Sequence, residues 1–192
     1  MLKDITYNNG VFIANNWLDD IIKDKIEDFV LSKTKEINKT NYRLYENSLK
    51  NTEFDKKEFI NLINKFCKEI VKVSKININI KKSYKVLRVI GGEGSNKQSH
   101  LYHFDAHKLT ILVPLVIPDN FSKKNGDLII IPNLRKLHNN ILLNIIQKIF
   151  FQNKIITYFI KNNFIFKKHK IRIKPGNLYA FFGFTTLHGN ED

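Results

Sequence analysis

Residues 98–106 read Gln98-Ser99-His100-Leu101-Tyr102-His103-Phe104-Asp105-Ala106. The segment is strand-like, and alternate residues of a strand share a face. His103 and Asp105 therefore point one way and Phe104 the other, so the pair forms a two-tooth chelate. With six His and ten Asp in the chain, a His-x-Asp triplet arises by chance in roughly three proteins out of ten of this composition. Its surroundings add meaning. A glycine-rich turn (Gly91, Gly92, Gly94) precedes it, a hydrophobic strand follows it, and a further histidine, His188, stands near the end of the β-type region.

Working outward, residues 76–80 alternate Ile76, Ile78 and Ile80 with Asn77 and Asn79, and Tyr84 to Ile90 is another β-type run. Further strands are expected at 100–107, 109–117, 127–131, 155–160, 163–173 and 177–184, most of them bounded by Gly, Pro, Asn or Asp. Between two of these runs, residues 136–151 place Leu137, Ile141, Leu142, Ile145, Ile146 and Ile149 at helical spacing and are expected to form an inserted helix, a candidate lid. Upstream, residues 11–14 read as a short strand. A helix capped by Asn15, Asn16 or a neighbour follows, burying Leu18, Ile21, Ile22, Ile26, Phe29 and Val30. A second helix, about residues 55–74, buries Phe59, Ile60, Ile63, Phe66, Cys67, Ile70 and Val71 on one stripe. Cys67 thus reads as core. The pattern predicts an α+β fold in one domain, residues 1–192, with 1–75 mainly helical support and 76–192 a β core carrying the helical insertion. Its helices are expected outside a β-sandwich or barrel.

Hydrophobic residues make up 43% and charged residues 26% of the 192 residues, which excludes disordered and low-complexity classes. The net charge of +14 could attract nucleic acid, anionic lipid or a small acidic ligand. Only three alanines occur while Lys, Asn and Ile abound, a skew that points to AT-rich codons as a source of the charge. The single cysteine rules out an internal disulfide framework and a thiolate zinc site. The start lacks a signal-peptide pattern, and the apolar runs 109–118 and 141–151 are too short or charge-interrupted to span a bilayer. A cytoplasmic protein without membrane contact is expected.

Two histidines and one carboxylate on one face of an octahedron form the facial triad of non-haem Fe(II) oxygenases, leaving positions open for a bidentate cosubstrate and dioxygen. Such a set leaves the metal one surplus positive charge, which suits an anionic 2-oxo acid. His100 and His107 read as supporting or surface groups, and His138 and His169 as solvated. Phe181, Phe182 and Phe184 read as core aromatics. The basic stretch 167–174 reads as an exposed strand face, since it lacks interleaved stacking aromatics.

Residues 98–117 and 126–190 resemble the core of the Fe(II)/2-oxoglutarate-dependent oxygenases, closest to the phytanoyl-CoA dioxygenase-like branch. The resemblance is carried by 98–106, by Asn125-Gly126-Asp127-Leu128-Ile129-Ile130-Ile131-Pro132, and by Lys174-Pro175-Gly176-Asn177-Leu178-Tyr179-Ala180-Phe181-Phe182 with Thr185-Thr186-Leu187-His188-Gly189. It implies a double-stranded β-helix, a jelly-roll or cupin-like barrel, with His103, Asp105 and His188 as iron ligands and 2-oxoglutarate as cosubstrate. The implied reaction uses dioxygen to hydroxylate or otherwise oxidise a small or medium-sized organic substrate. Members usually place a basic residue some ten positions beyond the distal histidine, against the far carboxylate of 2-oxoglutarate. That position and a final strand fall past Asp192, so either the chain is truncated or the anchor comes from elsewhere, with Tyr84, Arg88 and Lys108 as the candidate substitutes. Two other readings share these residues. One is an alkylation-repair-type nucleic-acid demethylase, which needs a base-flipping pocket and basic groove not located in the sequence. The other is a non-catalytic β-barrel that holds a metal or ligand. Nucleic acid is not the expected partner.

Overall fold

Asn9-Gly10 reverses the chain with positive φ at both residues, 51° and 88°, a tight two-residue turn whose twist matches that of the strands it joins. It links β1 (Ile5–Asn8) to β2 (Val11–Ala14) as an antiparallel hairpin. Gly10 also lies against Pro132, where an added Cβ would come within 2.5 Å of the ring. The computed structural model describes residues 5–38, 41–75, 83–90, 102–117, 126–136, 140–162 and 166–190. These fall into two compact units, one made of Met1–Asn15 with Gln98–Asp192 and the other of Asn16–Lys97.

The second unit holds α1 (Asp20–Ile37), β3 (Asn41–Tyr45), α2 (Lys57–Ser74) and β4 (Val86–Ile90). Asp19, rather than Asn15 or Asn16, caps α1: its carboxylate accepts from the Ile22 amide at 2.8 Å. Ile26 and Val30 are buried, whereas Ile21 is exposed, because five positions separate it from Ile26 and turn it well away from that face. On α2, Phe59, Phe66, Cys67 and Ile70 are buried. The Trp17 indole packs on Phe66 and donates to the Leu62 carbonyl at 3.3 Å. Burial pushes the Cys67 thiol up, in keeping with a core residue. β3 and β4 pair antiparallel, with Arg43 opposite Arg88. The expected strand at 76–80 and the turn at Gly91, Gly92 and Gly94 lie outside the described residues.

The first unit holds β1, β2, β5 (Thr110–Leu112), β6 (Leu128–Ile131), α3 (Ile141–Gln152), α4 (Lys154–Asn162), β7 (His169–Ile171), β8 (Leu178–Phe181) and β9 (Leu187–Asn190). The strands form two antiparallel sheets in the orders β1-β2-β8-β5 and β7-β6-β9. Val11, Tyr179 and Phe181 of the first sheet pack with Leu128, Ile130 and Ile171 of the second, so the two sheets face one another across a shared core. All four residues of β6 are buried. The opposite face of its sheet is covered too, by a cluster of Phe104, Ile131, Ile160 and Leu187 with Phe151 and Ile156 packed against it.

The architecture is α+β with antiparallel sheets, and the described sheets are open, not closed into a barrel. Residues 155–160, read as a strand, belong to α4. Their β-branched and aromatic content suggested a strand, but Ile156 and Ile160 sit one helical turn apart and pack on the same cluster. The inserted helix begins at Ile141 and is followed by α4, so the insertion is a helix pair between β6 and β7. The 177–184 run stops at Phe181, and a turn leads to β9. Among the described residues no helix is long and apolar enough to cross a membrane.

Candidate metal centre

Two backbone segments deliver the triad. The His103 amide donates to the His188 carbonyl at 2.9 Å, and the His188 amide donates to the His103 carbonyl at 3.1 Å. The two residues are thus direct antiparallel partners, which puts their side chains on one face and their ring centroids 4.4 Å apart. On its other edge β9 is paired with β6, where Ile130 stands opposite His188. Two positions along, the Asp105 amide donates to the Gly183 carbonyl at 3.0 Å, fixing the carboxylate beside both imidazoles.

His103 Nε2 lies 3.6 Å from Asp105 Oδ1, and His188 Nε2 lies 3.5 Å from Asp105 Oδ2. One ligand atom from each of the three residues falls within 4.8 Å of the others. Burial, partly opposed by the Asp105 charge, lowers the His188 pKa to about 4, so its imidazole is neutral near pH 7. His188 Nδ1 sits 3.1 Å from the Thr186 carbonyl. A carbonyl can only accept, so Nδ1 carries the proton and Nε2 presents its lone pair to the centre. The Thr110 hydroxyl donates to Asp105 Oδ2. Gly183 lets these groups approach, since an added Cβ would lie 2.2 Å from the Thr110 oxygen and 2.7 Å from Asp105 Oδ2. The Phe181 ring, 4.6 Å from that of His188, closes the buried side. The His103 side chain is 42% exposed against 8% for His188, so the centre has one dry wall and one open approach.

No family model and no curated protein matches the chain. The reading of the site therefore rests on its own chemistry. Two imidazole nitrogens and one carboxylate suit a divalent first-row cation such as Fe(II), Mn(II), Co(II) or Zn(II). Bonds of about 2.1 Å would draw the donor atoms closer together than they stand here. The residues present fit such an ion.

Lys108 is exposed on the bend just after Asp105, and His107 beside it is also exposed. Tyr84 and Arg88 belong to the other compact unit, where Tyr84 is exposed and Arg88 is half-buried. Burial, then repulsion from Arg43, lowers the Arg88 pKa. His100 and His138 lie outside the described residues. His169, expected to be solvated, is half-buried on β7 and lines a shallow pocket with Asn133, Phe166 and Lys167; burial and then Lys167 lower its pKa. The helix pair does not cover the triad face. Phe104 and Leu187, which alternate with His103 and His188, pack with Ile160, Phe151 and Ile156, so the helices lie on the sheet face opposite His103 and His188.

Sequence reasoning missed Thr110 and Gly183, whose roles arise only when the turn before β9 meets the strand after Asp105. It also missed Arg135. That residue is buried and stacks its guanidinium on Phe104 and Phe184, with the carbon 4.4 Å and 3.9 Å from the two ring centroids. A charged residue just past an apolar strand carries no sequence signal for such burial.

Proposed function

We propose that the chain is an Fe(II)- and 2-oxoglutarate-dependent dioxygenase that oxidises a small or medium-sized organic substrate, with its two facing sheets as the core of a double-stranded β-helix. The observation that carries this reading is the gathering of His103, Asp105 and His188 around one point, with a hydrogen-bond partner behind two of the three. Bound iron, with 2-oxoglutarate and dioxygen, would supply the oxidising power that protein side chains lack.

The chain's own residues do the rest. His188 offers a neutral Nε2 because the Thr186 carbonyl holds the proton on Nδ1. Asp105 supplies the anionic donor, and the Thr110 hydroxyl fixes its orientation, leaving Oδ1 turned toward His103. Phe181 keeps water from the buried side, which strengthens every electrostatic interaction there. The exposed edge of His103 marks where a cosubstrate enters. Lys108, three residues from Asp105 in the sequence, is the residue to test as the partner of the cosubstrate's far carboxylate.

The test is anaerobic calorimetric titration of Fe(II), followed by measurement of succinate formed from 2-oxoglutarate in the presence of dioxygen. Metal binding and 2-oxoglutarate turnover, both abolished in Asp105→Ala, are the expected result. Metal binding without any consumption of 2-oxoglutarate would replace this reading with that of a non-catalytic metal-binding protein.

A further inference from the structure

Helix α3 turns most of its apolar side chains outward, and α4, whose Ile156 and Ile160 pack inward, adds exposed Ile155, Tyr158 and Phe159. Ile141 is 73% exposed, Ile149 67% and Phe159 65%, and Leu142, Ile146 and Phe150 share the outer surface of the pair. The half-buried positions of α3 include Asn144, Gln147 and Lys148, the reverse of a helix that uses its apolar stripe for the core. Residues so placed form a contiguous patch, since positions three and four apart on a helix are neighbours, and a patch of this kind marks an interaction surface.

The charge around the patch says what it meets. From residue 128 to residue 190 the sequence contains ten Lys and Arg and no Asp or Glu, whereas the first 75 residues contain twelve Asp and Glu. One gene encodes both regions, so codon bias alone does not account for the contrast. Exposed Lys136 follows Arg135, whose guanidinium donates to the Asn144 carbonyl of α3 at 3.1 Å. Exposed Lys167 and Lys168 follow Phe166, which packs against the same buried cluster as Phe151 and Ile156 of the helices. The basic residues therefore flank the apolar face. A second copy of the chain would bring like charges together across that face, and a nucleic-acid groove would not expose aliphatic side chains.

The geometry points to the helix pair α3–α4 as a docking surface for an anionic lipid membrane. Its apolar side chains enter the boundary between headgroups and acyl chains while the flanking lysines meet the headgroup charge. The pair lies on the surface and does not span it, so the short apolar runs that exclude a membrane span do not bear on it. This inference is independent of the metal reading, because the helices occupy the sheet face opposite the triad.

The experiment is flotation of the full chain with vesicles of phosphatidylcholine alone and of phosphatidylcholine with about one-third phosphatidylserine, at low and high salt. The comparison variant is Ile145→Asn/Ile146→Asn/Ile149→Asn; all three positions are exposed, so core packing is spared. The wild-type chain is expected to float with the anionic vesicles, to be released by high salt, and to lose at least about tenfold in partitioning in the variant. Equal binding to the neutral vesicles, equal binding by the variant, or no binding accompanied by a concentration-dependent dimer that the variant abolishes would each overturn the proposal. Circular dichroism of the variant separates a lost surface from a lost fold.

Discussion

His103 and His188 are bound to each other through their backbones in both directions, at 2.9 and 3.1 Å, before any metal holds their side chains. A hydrogen-bonded antiparallel pair fixes register to the residue, and a slip of one position would send His188 to the face now held by Leu187. Much of the ordering of two candidate ligands is thus done by the sheet. The third candidate ligand, Asp105, depends on the turn at Gly183 and on Thr110.

Thr110→Val removes the hydroxyl that donates to Asp105 while keeping the side chain's shape. Loss of such a supporting bond typically costs about ten- to a hundredfold in metal affinity. Calorimetric titration of the variant with Fe(II) or Co(II) should show that loss, with thermal stability in the absence of metal changed much less. Thr110→Ser should recover most of the affinity, because the donor is restored.

Gly183→Ala places a methyl group where Asp105 and Thr110 already stand. Overpacking of this kind costs typically about 1–3 kcal/mol, and the strain falls on the carboxylate ligand. The variant should both melt earlier and bind metal more weakly than Thr110→Val. Wild-type affinity in Gly183→Ala would show that Asp105 is not held as described.

The parts legible in the sequence were those set by local periodicity. Alternation was enough to bring His103 and Asp105 together with Phe104 opposite, although of the expected strand 100–107 the described residues form only the single bridge at His103, and the helical spacing of Phe59, Phe66, Cys67 and Ile70 was enough for α2. The Ile155–Ile160 segment was misread because a short run of β-branched and aromatic residues fits a buried strand and a helix equally well. Contact with Phe104 and Leu187, residues distant in sequence, decides between them. Gly183, Thr110 and Arg135 were silent for the same reason: their roles exist only across tertiary contacts, and neither periodicity nor spacing reports those.

The His188 imidazole makes stability depend on pH. Burial, first among the causes, lowers its folded-state pKa from 6.5 to about 4, although the Asp105 charge pulls the other way. Between those values the unfolded chain takes up the proton and the folded chain resists it. The stabilising difference is therefore fully present above about pH 6.5 and is lost as pH falls toward 4, by at most about 1.4 kcal/mol per pH unit for this one group. Urea unfolding of the metal-free chain across that range should show the decline, and His188→Gln should flatten it. A slope unchanged in the variant would assign the effect to other groups.

Arg135 joins three pieces of chain, one of which carries His103 and Asp105. Its rings are Phe104, beside His103 and Asp105, and Phe184, beside Gly183. Its Nε–H donates to the Phe184 carbonyl at 2.5 Å and its Nη1–H to the Asn144 carbonyl on α3 at 3.1 Å. Burial lowers the guanidinium pKa, yet an arginine stays charged at neutral pH, and the two aromatic faces with the two carbonyls offset part of its desolvation. Arg135→Ala should destabilise the chain by about 2–4 kcal/mol, since it leaves two carbonyls short of donors and opens a gap between the rings. Arg135→Lys should restore little of this, because an ammonium keeps the charge but cannot stack between two rings while forking to two carbonyls. Urea denaturation of the three proteins at neutral pH checks the order. Full rescue by lysine would mean that charge alone matters here, and the stacking geometry would then carry no stability.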